Sequence, residues 1–331
     1  MKKPIPDYAG EIKTIFLPKQ ARNFKIFSDI SSIVSEVSNK PVETIEVHKY
    51  NTTKSLWLRD IGLCLNYKGS KPKLLIPDES VKNWFFNKND IKYLNFIWSY
   101  FKKRGFDLVE LPVLIEGGDC IITKDYAIFG FSTLKLNQKN KNSKEKVTDT
   151  ISRFFNKENL DCIFLDDYED EYYSSSLISK SINESIALRL DSGFYHLDTI
   201  SSVVQNLLGE EVAIVAETDS DMIDSFGADK ELYNDCVKYS NFVKTSLSRK
   251  GFEINRQPAI CSENFFWSST CSTIIPSERK ILLADPQILE YSQKVQLFNE
   301  ELGYKTEFFD LPNDFFYTDA GFRCLTLIEK R

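Results

Sequence analysis

Five stretches of this chain share one plan, and that plan limits the folds open to it. Each has a polar or charged motif, an apolar run, a turn and often a second apolar run ending near Pro or Asp. They begin near Trp57, Glu116, Phe194, Glu263 and Tyr317. Residues 12–17, 73–77, 127–131, 212–216 and 280–284 have the composition of strands. Residues 91–103, 145–156, 200–208, 229–248 and 286–301 carry apolar side chains at helical spacing. Strand and helix in alternation predict an α/β fold. Repeats of ~55–80 residues are too long and too divergent for a solenoid. They fit a closed ring of similar ββαβ-type units whose polar starts converge on one centre; chance resemblance among strands is the competing reading.

No stretch is rich enough in Pro, Gly or Ser to divide the chain, so residues 1–331 read as one domain. Residues 136–146 read as a solvated loop and 166–173 as an acidic-aromatic surface loop. A hydrophobic content of 42%, with 25 Phe and 15 Tyr, is ample for a large core.

The formal charge of −6 argues against nucleic acid, which needs a clustered basic face, and suits a cationic small molecule. The opening lacks an apolar segment of the signal-peptide kind, and no apolar run approaches the ~20 residues that cross a bilayer. Seven cysteines with no CxxC pair point to reduced thiols, hence to a soluble, cytoplasmic protein with no membrane partner. Two histidines far apart and no cysteine cluster disfavour a metal, and no phosphate-binding glycine motif suggests a nucleotide cofactor. No cofactor is therefore expected.

Chemistry concentrates in four places. Cys324 follows Asp319-Ala-Gly321, a turn able to present a side chain into a cavity. The other six cysteines read as small core hydrophobes. A free thiol needs a positive neighbour or a cationic substrate to become thiolate. Adjacent Arg323 is a poor candidate for that neighbour, because successive strand residues face opposite ways. His196, in Phe194-Tyr-His196-Leu-Asp198, can protonate a leaving amine and then deprotonate water. His48 sits amid surface charges and reads as incidental. Carboxylates stand in Trp57-Leu-Arg59-Asp60 and Glu116-Gly-Gly-Asp119, and again at Asp198. Either each pairs with a nearby cation such as Arg59, or several converge on a guanidinium, whose planar N–H fork matches carboxylates.

Taken in order, Trp57-x-Arg59-Asp60, Glu116-Gly-Gly-Asp119, His196-x-Asp198 and Gly321-x-x-Cys324 resemble the guanidino-group-modifying enzymes of the pentein superfamily. These include arginine and agmatine deiminases, arginine dihydrolases, dimethylarginine dimethylaminohydrolases and amidinotransferases. The resemblance runs over essentially the whole chain. It implies a five-bladed α/β propeller, the pentein fold, of pseudo-repeated ββαβ units. It further implies that Cys324 attacks the guanidinium carbon to give a covalent thiouronium, with His196 as proton donor and water activator. Glu116 would orient His196 and contact the guanidinium, Asp60 and Asp198 would grip its nitrogens, and Asp119 would tie down the Gly-Gly turn, with Arg59 grouped among the substrate-binding residues.

The chain departs from the family after Gly130, where enzymes of free arginine carry an Arg for the substrate carboxylate. Phe131-Ser-Thr-Leu-Lys135-Leu-Asn stands there instead, leaving Lys135 as a substitute and Arg189 as the other cation considered for the tail. The expected activity is hydrolysis of a guanidino C–N bond. Amidino transfer to an amine is the alternative within enzymology, and a non-catalytic binding protein is the alternative outside it. The expected partner is a cationic guanidino compound or a protein-bound arginine; a homodimer is compatible with this reading.

Overall fold

An antiparallel strand pair followed by a helical crossover to a parallel strand recurs along the chain. The computed structural model describes residues 2–19, 26–47, 58–139, 143–165, 196–218, 230–261, 266–270, 272–285, 288–310, 323 and 326–331. In the first sheet, β1 (Ile12–Lys19) runs parallel to β2 (Val42–Glu46), with α1 (Ile26–Ser38) between them in sequence. The last strand, β16 (Leu327–Lys330), pairs antiparallel with β1, so that Phe16 faces Leu327.

The second sheet follows the same order. Here β3 (Leu63–Leu65) is antiparallel to β4 (Lys73–Pro77), which is parallel to β5 (Asp107–Leu111) after α2 (Glu79–Phe85) and α3 (Lys88–Lys103). The third holds β6 (Cys120–Ile122), β7 (Tyr126–Phe129) and β8 (Asp161–Phe164), with α4 (Phe131–Lys139) and α5 (Lys144–Lys157) crossing from β7 to β8. In the fourth, β9 (Ser201–Gln205) pairs antiparallel with β10 (Glu211–Thr218); α6 (Lys230–Arg249) leads to parallel β11 (Glu253–Cys261), with β12 (Phe266–Ser268) beyond. The fifth is ordered β13 (Thr273–Ile275), β14 (Lys280–Asp285), β15 (Lys305–Asp310), with α7 (Leu289–Glu301) crossing between the last two. Parallel neighbours demand a long connection, and in each of these crossovers that connection carries a helix.

Close contacts gather the chain into two compact units. One is Met1–Ile163 with Ile274–Glu278 and Arg323–Arg331; the other is Phe164–Thr273 with Arg279–Phe322. In the first unit, α3 shows why its sequence is helical. Asn87 caps it by accepting from the N–H groups of Asn89 and Asp90, Lys102 and Lys103 close its last turn, and Tyr93, Leu94, Ile97, Trp98 and Phe101 form one buried stripe. That stripe packs on Phe16, Leu58, Ile61, Leu74 and Ile76. The rings of Phe16 and Phe101 meet edge to face at 5.1 Å. Burying each such ring contributes roughly 1.5–3 kcal/mol. In the second unit a smaller cluster joins Ile260, Leu283, Tyr291 and Val295. Arg279 caps its α7 end, donating to the carbonyls of Leu302 and Gly303 and to that of Gln205.

Two sequence expectations are corrected. Residues 200–208 were expected to be helical, yet 201–205 form β9. Their apolar spacing fits a helix, but the β-branched Val203 and Val204 pair across β10 and are buried there. The loop expected at 136–146 is largely helix: α4 continues to Lys139 and α5 begins at Lys144 behind its Ser143 cap. Among the described residues no helix is long and apolar enough to cross a membrane.

Candidate active site

Three of the motifs singled out in the sequence occupy the same structural station. Each lies in or immediately before a 3-10 turn that precedes the first strand of a sheet: Leu58–Ile61 before β3, Gly117–Asp119 before β6 and Leu197–Thr199 before β9. Asp60 lies within the first turn, whereas Glu116 and His196 stand at the N-terminal cap of the other two. Ahead of β16, the Thr326 N–H and hydroxyl both donate to the Arg323 carbonyl, at 3.1 and 3.0 Å. Thr199 does the same to the His196 carbonyl, at 3.2 and 2.6 Å.

In the first unit the Asp60 and Glu116 turns are brought together. The backbone at Gly117 runs so close to the Leu58–Ile61 turn that a Cβ there would lie 2.5 Å from the Arg59 carbonyl oxygen and 3.0 Å from that of Gly62. Glycine is required by this approach. The Asp60 turn is also pinned by Trp98, whose indole donates to the Ile61 carbonyl at 2.9 Å. Glu116 is buried, and its carbonyl accepts from the Asp119 N–H.

Asp119 is also buried, and its carboxylate caps α4. One oxygen, Oδ2, accepts from both the N–H and the hydroxyl of Thr133 at 2.6 Å. A carboxylate at a helix N-terminus answers both its unpaired N–H groups and its dipole. Gly130 makes room, since a Cβ there would lie 2.0 Å from Asp119 Oδ1. Lys135 stands half-buried on the same helix.

Asp7 was not singled out in the sequence, yet it organises the charges around these turns. Its Oδ2 accepts from Arg323 at 2.6 Å, lies 3.6 Å from the Arg59 guanidinium and accepts from the Ile122 N–H at 3.2 Å. Its backbone carbonyl takes a hydrogen bond from the Lys330 ammonium at 2.6 Å. Burial opposes ionisation of Asp7, but the charges of Arg323, Arg59 and Lys330 outweigh it and hold the carboxyl below its ordinary range. Arg323 is thus ion-paired with Asp7. Only the composition Pro6-Asp7-Tyr8, an acid held among apolar residues, hinted at this role.

Three described thiols are not poised for attack. Burial pushes Cys64 and Cys162 up to about 12 and Cys120 well above its usual value, so all three stay protonated. This agrees with reading them as small core hydrophobes. Among the described residues no group of three or more His, Cys, Asp and Glu is arranged to hold a metal ion.

In the second unit, His196 is half-buried and Asp198 fully buried. The Asp198 carbonyl accepts from the Thr270 hydroxyl at 3.0 Å, and Thr270 meets Ser268 at 2.8 Å. Trp57, Arg189, His48 and Cys324 lie outside the described residues, as do 166–173.

No family model and no curated protein sequence matches the chain. Solved structures do. The agmatine deiminase of C. jejuni aligns over 100% of this chain and 97% of its own at 15% identity, with a TM-score of 0.67. That of Enterococcus faecalis aligns over 100% and 96% at 10% identity, with a TM-score of 0.65. The DDAH of Pseudomonas aeruginosa aligns over 96% and 99% at 12% identity, with a TM-score of 0.51. At such identities the likeness speaks for architecture, and it agrees with five successive small sheets: the chain has the α/β pentein fold that these guanidino-modifying enzymes share.

Proposed function

We propose that the protein is a cysteine-dependent hydrolase of guanidino C–N bonds, acting on arginine or an arginine-related compound. The observation that carries this reading is the common station of Asp60, Glu116 and His196 at the turns leading into successive sheets, in a fold otherwise found in agmatine deiminases. A scaffold used only for binding would have no need of a histidine and buried acids at equivalent positions.

In the proposed reaction the Cys324 thiolate adds to the guanidinium carbon. His196 donates a proton to the departing amine, leaving an amidino group on sulfur as a thiouronium. His196 then takes a proton from water, whose oxygen adds to the same carbon; the C–S bond breaks and the thiolate is regenerated with a urea-type product. The cationic substrate favours the thiolate on binding, and Asp60, Asp198 and Glu116 hold the guanidinium N–H groups. Lys135 and Arg189 are the cations proposed for the substrate tail, with Arg59 grouped among the substrate-binding residues. The guanidinium carbon is itself electrophilic, so the scheme calls for no cofactor.

The test is a screen of arginine, agmatine, methylated arginines and peptidyl-arginine for release of ammonia, urea or a ureido product. Cys324→Ala should abolish turnover while the protein stays folded, and mass spectrometry should find a substrate-derived adduct on Cys324 of the wild type. Unchanged turnover in Cys324→Ala would exclude the mechanism.

A further inference from the structure

We propose that Thr133 and Asn137, one helical turn apart on α4, are positioning residues that set the place of Glu116; this rests on the reading of Glu116 given above. Glu116 lies in irregular backbone between the end of β5 at Leu111 and the start of β6 at Cys120. Leu114, Ile115 and Glu116 are all buried there, so their peptide groups must find hydrogen-bond partners within the protein.

α4 supplies side-chain partners on both sides of Glu116. Asn137 presents its side-chain amide as a substitute for a strand edge. Its Oδ1 accepts from the Leu114 N–H at 2.8 Å, and its Nδ2 donates to the Leu114 carbonyl at 2.8 Å. That fixes the chain two residues before Glu116. Thr133 donates twice to the Asp119 carboxylate at 2.6 Å, which fixes the chain three residues after it. Asn137 Nδ2 also donates to the Thr133 carbonyl at 2.7 Å, so the two anchors are joined to each other. Asn137, Thr133 and Asp119 are each no more than 1% exposed.

The geometry follows from helical spacing. Residues four apart lie on one face, about one turn distant along the axis. One rigid surface therefore grips both flanks of the segment, and Glu116 is carried between two fixed points. Neither Thr133 nor Asn137 brings an acid, base or nucleophile, so their contribution runs through the placement of the Glu116 carboxylate. A displacement of about 1 Å in a group that orients substrate can cost on the order of 100-fold in rate.

The experiment compares Asn137→Leu, Thr133→Val and Thr133→Ser with the wild type, with Glu116→Gln as the reference for lost chemistry. Ile151→Ala, a buried change on α5, serves as a destabilised control. The expected result is a fall in kcat of ~10–100-fold for Asn137→Leu and ~10-fold for Thr133→Val, with KM changed much less. Thr133→Ser, which keeps both donors, should restore wild-type kcat, and the control should lose thermal stability with its kcat intact. If Asn137→Leu does not fold, Thr133→Val against Thr133→Ser decides alone. An active wild type and an inactive Glu116→Gln, combined with unchanged kcat in Thr133→Val and Asn137→Leu, would overturn the positioning role and leave the proposed function standing. A wild type inert toward every guanidino compound would remove the proposed function, and this inference with it.

Discussion

Asp7 and Arg323, 316 residues apart in the chain, meet at 2.6 Å between a carboxylate oxygen and a guanidinium nitrogen. The pair joins the segment ahead of the first strand to the residue that precedes Cys324. Arg59, the neighbour of Asp60, lies 3.6 Å from the same oxygen. One carboxylate thus holds the chain next to two of the proposed site residues.

Asp7→Asn should destabilise the fold by about 3–5 kcal/mol at neutral pH, because it removes the carboxylate charge that Arg59, Arg323 and Lys330 share. The pH dependence has a definite sign. The folded carboxyl lies below its ordinary value of 3.8, so the unfolded chain binds the proton more readily. The contribution is complete above that value and is lost as pH falls through the folded one. Urea unfolding should show a large wild-type advantage at pH 7 that narrows in acid.

Lys330 behaves in the opposite sense. Burial pushes its ammonium down to about 8 from 10.5, despite the favourable charge of Asp7. Below pH 8 both states carry the proton and burial of the charge costs stability in full. Between about 8 and 10.5 the unfolded chain binds the proton that the native state has released, so this residue's contribution rises with pH, by about 3 kcal/mol at most. Unfolding free energies of the wild type and Lys330→Met, compared from pH 7.5 to 10, should therefore diverge in favour of the wild type.

Gly117→Ala tests the close approach of two motifs. The added Cβ meets the Arg59 carbonyl at 2.5 Å, and that is backbone rather than a side chain able to turn away. The expected cost is about 1–3 kcal/mol, with a further loss of turnover as the Asp60 and Glu116 turns separate. Thermal unfolding and steady-state kinetics measure the two effects.

Thiol labelling separates packing cysteines from the proposed nucleophile. With the Cys64 and Cys162 thiols held near 12, their thiolate fraction at pH 7.5 falls about a thousandfold below that of an ordinary cysteine. Peptide mapping after brief iodoacetamide treatment of the native protein should find Cys64, Cys120 and Cys162 unmodified. Cys324 should be labelled, and faster when a guanidino substrate analogue is absent than when it occupies the site.

The repeating plan of the fold was legible in the sequence because strand and helix periods are local properties. The run at 73–77 became β4 without change, and 91–103 lies inside α3, where side chains four apart make the buried stripe. The motif residues were legible for the same reason: an acid beside two glycines, or a scarce histidine, advertises its chemistry at short range. Where local and tertiary preferences conflict, sequence misleads. Residues 201–205 carry a helical apolar spacing, and only the neighbouring β10 makes them a strand. Asn137 fell within the expected solvated loop and Thr133 in a stretch noted only for Lys135, with nothing nearby to mark them as anchors. Their partners, Asp119 and Leu114, lie 14 and 23 residues away. Asp7 was more hidden still, since its counter-charges come from three distant points of the chain. By itself, then, the sequence determined the alternation of elements and the kinds of chemical group available. The tertiary structure decided which buried polar groups satisfy one another, because such pairing depends on burial and distance across the fold, which no local pattern encodes.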